Sequence, residues 1–179
     1  MMFKKLFLIA LCALTSTTNS IYLRSKEVPS WDSQSFTGDW IQISSNYFVQ
    51  TTSEVDWKCV RVTVNQTTNN ILTIGKSPYI HGVYYSPNKV VNNYTENDKT
   101  LENGPNSLVI KALGPIIDEK YDYTILAGID NITLFIWARN YYRYFHYQDE
   151  INSLITSWKY TASYKAPLNS FDQMCLIIN

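Results

Sequence analysis

The most regular hydrophobic pattern in the chain lies within residues 57–64, where Val60, Val62 and Val64 alternate with Cys59, Arg61 and Thr63. A period of two marks a strand with one buried face. Residues 66–70 read as a polar turn and residues 71–76 as the returning strand of a hairpin. Residues 38–44 make an earlier strand, opened by Gly38-Asp39-Trp40. Residues 80–86 predict another, interrupted at Pro87. Residues 88–106 are polar and punctuated by Gly and Pro. They read as loop with a weak strand around Val90-Val91 and Tyr94. Alternation returns over 107–113, breaks at Gly114-Pro115, and resumes over 121–127 and 133–138. Short strands at this spacing predict an antiparallel barrel or sandwich, an all-β class.

One helix follows. Ile151, Leu154, Ile155 and Trp158 fall at i, i+3, i+4 and i+7, on a single face. Asp149 and Glu150 at its start suit the positive end of the helix dipole. Such a stripe packs against the outside of a sheet. The aromatic run Tyr141, Tyr142, Tyr144, Phe145 and Tyr147 has two readings. It packs the strand-to-helix crossover, or it is an exposed patch for a protein partner or a membrane surface. Residues 21–35, polar and containing Pro29, predict an irregular arm.

Composition adds a compartment. Lys4 and Lys5 precede nine apolar residues and then small polar ones up to Ser20, the pattern of a secretory signal peptide over 1–20. That stretch is too short for a membrane span, which takes roughly 20 apolar residues. Residues 21–179 are then one domain. Losing the two leader lysines leaves 13 basic against 15 acidic residues, a net charge of −2. No basic face is available for phosphates, which disfavours nucleic acid as a partner. Aromatic residues at 15% favour strands and a ring-lined interior. Cys59 and Cys175 remain after the leader, and in a secreted chain an even count favours one disulfide. The alternatives are free thiols or an intermolecular link. Asn65, Asn93 and Asn131 each begin an Asn-x-Thr glycosylation motif at an expected turn or strand end.

The residues that could carry chemistry are few. His81 and His146 have no partner at metal-ligand spacing, and no phosphate-cradling glycine loop occurs. No metal and no cofactor is expected.

The order of leader, arm, Gly-x-Trp strand, about eight strands, helix and cysteine-bearing tail resembles the lipocalins. The resemblance is nearest to the apolipoprotein D and bacterial-lipocalin branch. Ile80-His81-Gly82 looks like the Ile-x-Gly of its fourth strand. The segment Asp118-Glu119-Lys120-Tyr121-Asp122-Tyr123 resembles its second motif, without the usual Thr-Asp pair before the tyrosine. Phe135-Ile136-Trp137-Ala138-Arg139-Asn140 resembles its third. The resemblance implies an eight-stranded antiparallel up-and-down β-barrel (a lipocalin, or calycin, fold) with one C-terminal helix packed outside. It implies a Cys59–Cys175 bridge between the second strand and the tail. It also implies a barrel floor of Gly38, Trp40 and Arg139, with the guanidinium across the indole, structural rather than ligand-binding.

If Cys59 meets the tail outside the barrel, Val60, Val62 and Val64 point inward. Counting by twos from Trp40 adds Gln42 and Ser44, and from Arg139 adds Trp137 and Phe135. These seven residues are the expected ligand contacts. The function implied is a secreted carrier of a small hydrophobic ligand such as a fatty acid, retinoid or sterol, with no catalysis. The alternatives are a filled barrel acting through its surface and, behind that, a lipid-modifying enzyme on the same fold.

Overall fold

The computed structural model describes residues 31–85, 90–171 and 173–176 of the 179-residue chain. The leader, Pro29 and Pro87 lie outside the described residues.

The first described element is not part of an irregular arm. Helix α1 (Ser33–Phe36) is capped by Asp32, whose carboxylate accepts from the amides of Gln34 and Ser35, both at 3.1 Å. The Ser35 hydroxyl at 2.6 Å, helped by those amides, holds the Asp32 carboxyl below its usual pKa. Then come β1 (Gly38–Asn46), α2 (Tyr47–Thr52), β2 (Lys58–Thr68) and β3 (Ile71–Ile80). The short β4 (Val83–Tyr84) folds back on β3 across His81-Gly82. Both turn residues have positive φ, 49° and 89°, as a two-residue hairpin turn requires. The next elements are β5 (Val90–Asn97), β6 (Thr100–Glu102), β7 (Leu108–Leu113), β8 (Ile116–Ile117) and β9 (Lys120–Tyr121). The chain ends with β10 (Tyr123–Gly128), β11 (Leu134–Ala138), α3 (Tyr141–Ser157), β12 (Pro167–Asn169) and a 3-10 turn (Gln173–Leu176).

Eight of these strands close an antiparallel barrel in the order β1-β2-β3-β5-β6-β7-β10-β11, with β11 pairing back on β1. The stretch 88–106, expected as loop around one weak strand, is therefore corrected, since β5 and β6 are two barrel staves. In β5 the inward parity reads Val90, Asn92, Tyr94, Glu96, and those polar inward residues mask the alternation. The hairpin β8–β9 stands apart from the barrel.

Two apolar layers form on either side of the wall. Inside, Phe36, Trp40, Val62, Val64, Leu72, Leu101, Ile110 and Leu126 fill the lower barrel. Outside, Tyr123, Ile125, Leu134, Ile136 and Ala138 lie under Tyr144, Ile151 and Ile155 of α3. That cover explains why every residue of β10 is buried. The helix begins at Tyr141, two turns earlier than the acidic pair suggested, because the Asn140 side chain caps the amides of Tyr142 and Arg143. The aromatic run is thus helical and splits by face. Tyr144 is buried and Tyr141 and Tyr147 pack against the outer layer, whereas Tyr142 and Phe145 are exposed.

The tail takes over an edge that β2 leaves. β2 pairs with β1 only over Gly38–Ile41, and above it β12 pairs with Ser44, Ser45 and Asn46. Cys59 is bonded to Cys175 across 116 residues of sequence. Closing a loop of that length contributes about 4–5 kcal/mol in the chain-entropy model. Tyr141 stacks on Phe171 beside the bridge, with ring centroids 3.9 Å apart.

Candidate functional site

Gly38, Trp40 and Arg139 meet at one end of the barrel. The Arg139 guanidinium lies over the Trp40 ring, 3.6 Å from its centroid. It donates to five backbone carbonyls: Tyr121 from Nε, Asp39 from Nη1, and Ser35, Phe36 and Thr37 from Nη2, at 2.8–3.1 Å. Burial pulls its pKa down to about 10, against the attraction of Asp39 and Asp122, so it is charged at neutral pH. The Trp40 indole donates to the Phe36 carbonyl at 2.9 Å. Gly38 has φ +102°, and a Cβ there would lie 3.3 Å from Arg139 Nη1. α1 therefore lies across this end, fastened by one cation. Asp122, almost wholly buried, ties α3 to the same end by accepting from Arg143 at 3.3 Å.

The opposite end holds a cavity of about 470 Å³. Ile74, Tyr94, Leu108, Phe135 and Trp137 supply its apolar wall, and Phe48 and Trp57 of the β1–β2 connection border it. The volume lies within the roughly 300–1,000 Å³ typical of small-molecule sites.

Polar groups converge on one side of this cavity. Lys76 of β3 and Glu54 of the β1–β2 connection form an ion pair at 2.5 Å, with side chains only 13% and 6% exposed. Lys76 also donates to Gln42 Oε1 at 3.1 Å and sits 3.8 Å from the centroid of the Phe135 ring. Gln42 Nε2 donates to the other Glu54 oxygen at 2.6 Å, and Ser45 Oγ reaches that oxygen at 3.4 Å. Trp137 Nε1 completes the cluster on Gln42 Oε1 at 3.3 Å. Every charge here has an opposite charge or an aromatic face beside it, as burial demands.

The seven residues expected to face a ligand divide three ways. Phe135 and Trp137 line the cavity, and Gln42 stands behind it, holding Lys76 and Glu54. Val60, Val62 and Val64 are fully buried in the inner layer, and none borders the cavity. Ser44 faces the other way. A β-bulge between Gln42 and Ser44 shifts the alternation, so Ser44 donates to Leu168 on β12 at 3.0 Å while Ser45 reaches Glu54. Of the glycosylation motifs, Asn65 and Asn93 lie inside β2 and β5 rather than at turns. They are exposed on the outer wall on either side of Thr73. Asn131 is exposed in the β10–β11 turn, accepting from Tyr160 at 2.5 Å.

Pattern reading missed Glu54 and Lys76. Lys76 had a signal, because Leu72, Ile74 and Lys76 share the inward parity of β3. Glu54 had none, since its segment has no period. His81 is exposed near Asp56 at 3.8 Å, and neither histidine borders the cavity. Among the described residues no group of three metal-ligating side chains converges. No helix among them is long and apolar enough to cross a membrane.

No protein-family model matches the sequence, and no curated protein matches it. Solved structures do. The major cockroach allergen Per a 4 superposes with a TM-score of 0.56 and 14% identity, over 82% of this chain and 92% of that one. Looser overlaps reach japanin from Rhipicephalus appendiculatus, solved bound to cholesterol, and the siderocalin Ex-FABP. Japanin gives a TM-score of 0.45 at 16% identity over 78% of this chain and 95% of that one. Ex-FABP gives 0.43 at 11% over 59% and 74%. The fold is the lipocalin type: a closed eight-stranded barrel with a helix outside it.

Proposed function

We propose that this chain is a secreted carrier that holds one small, largely apolar molecule in its barrel and performs no chemistry on it. The observation that carries this reading is the cavity of about 470 Å³ under the β1–β2 connection, walled by Phe135, Trp137, Tyr94, Ile74 and Leu108. A barrel closed at the Trp40–Arg139 end and hollow at the other offers a site for one small molecule. Secretion is supported by the leader pattern and by the Cys59–Cys175 bridge, which suits an oxidising compartment. The same bridge, from second strand to tail, supports placement near the apolipoprotein D type branch. Glycosylation fits the exposure of Asn65 and Asn93 on the outer wall and of Asn131 in the β10–β11 turn.

The test is titration of the oxidised protein with fatty acids, retinol and cholesterol, followed by tryptophan quenching. Saturable one-to-one quenching by one class is the expected result, since Trp137 borders the cavity. A folded protein that binds none of them, and carries no lipid in a native mass spectrum, would overturn the carrier reading.

A further inference from the structure

We propose that Lys76 is the head-group anchor of this cavity and that Glu54 is a built-in occupant of the anchor, displaced by the acid group of the ligand. The ligand class is then an apolar carboxylate. This rests on the carrier reading and narrows it.

The two charges are held very differently. Lys76 lies within β3, opposite Val62 of β2 on one side and Val90 of β5 on the other. Its ammonium rests on the Phe135 ring and on Gln42, both on barrel strands. Glu54 lies between α2 and β2, outside any strand, in a turn closed by Glu54 N to Val49 O and Trp57 N to Glu54 O. Movement of this segment away from the cavity takes the carboxylate into water. The cation stays on the wall.

What remains is a set of donors shaped for a carboxylate: Lys76 Nζ, Gln42 Nε2 and Ser45 Oγ, which now hold the two oxygens of Glu54. A ligand carboxylate restores every one of those contacts, with the Phe135 and Trp137 rings flanking the site. A cationic head would meet Lys76 as a like charge. A neutral head would leave the buried ammonium without its counter-charge. The other charged group on the lining is Asp130, exposed in the β10–β11 turn.

The experiment uses calorimetric titration of the oxidised protein with dodecanoate, dodecanol and dodecylamine below their aggregation limits. A hydrogen-bonded charge is worth about 1.5–3 kcal/mol, so dodecanoate should bind about 10–100-fold tighter than dodecanol. The double variant Lys76→Met/Glu54→Gln offers a carboxylate no counter-charge and should lose the preference, binding dodecanol at least as tightly as dodecanoate. Glu54→Gln alone should tighten dodecanoate by about tenfold, because the competing carboxylate is gone. Thermal unfolding checks that each variant is folded. Equal binding of acid and alcohol by the native protein, unchanged in the double variant, overturns the anchor and leaves the carrier standing. Tightest binding of dodecylamine also overturns it, as does unchanged dodecanoate affinity in Glu54→Gln. Binding of retinol or cholesterol with none of the dodecyl probes overturns the anchor alone. Binding of nothing by the folded protein overturns both.

Discussion

The two ends of this barrel each bury a cation, and they treat it in opposite ways. At the closed end Arg139 is satisfied by five main-chain carbonyls from the α1 region, β1 and β9. At the mouth Lys76 is satisfied by side chains, chiefly one carboxylate on an irregular segment. Main-chain acceptors cannot leave without unfolding the elements they belong to. A side-chain acceptor on a loop can. The comparison teaches that the partner of a buried charge, more than the charge itself, separates a structural residue from an exchangeable site.

Substitutions at the two ends should break that symmetry further. The largest effect is expected from Arg139→Met, which leaves several carbonyls without donors and removes the cover of Trp40. A loss of roughly 3–5 kcal/mol in urea-unfolding free energy is expected, with ligand affinity of the folded fraction unchanged. A loss below about 1 kcal/mol would mean that the closed end is not fastened by this residue. Next comes Lys76→Met, which strands Glu54 and should cost roughly 3 kcal/mol, most of it recovered when Glu54→Gln is added. Failure of the second change to recover stability would show that packing, not charge pairing, holds the mouth.

Smaller is Gly38→Ala. Its positive φ and the Arg139 contact at 3.3 Å predict a loss of about 1–2 kcal/mol in the same unfolding assay. The smallest stability change is expected for Phe135→Ala, about 1 kcal/mol or less, because the ring borders a cavity. Affinity should nonetheless fall by about tenfold, since both apolar wall and ammonium support are lost. Unchanged affinity would move the binding site elsewhere on the surface.

Much of the closed end was legible in the chain. Gly38, Trp40 and Arg139 were brought together by the resemblance of their motifs to the lipocalins, since no local period links strands so far apart in sequence. The rest of the molecule was less legible for three separate reasons. Asn92 and Glu96 place polar residues at the inward parity of β5, so a stave read as loop. Asn140 caps α3 ahead of the acidic pair, so the helix began earlier than its charge pattern indicated. The bulge after Gln42 exchanged Ser44 for Ser45 on the inner face.

By itself the chain determined the strand faces of β2, β3 and β7 and the apolar stripe of the helix. These follow from alternation and helical period, which are properties of neighbours in sequence. Only the tertiary structure decided that Glu54 and Lys76, 22 residues apart, share one ion pair, that Gln42 braces both, and that the cavity lies above Val62 and Val64 rather than beside them. The reason is physical. Where a loop without a period touches a barrel is set by closure of the whole sheet and by one extra residue in β1, and no local pattern records either.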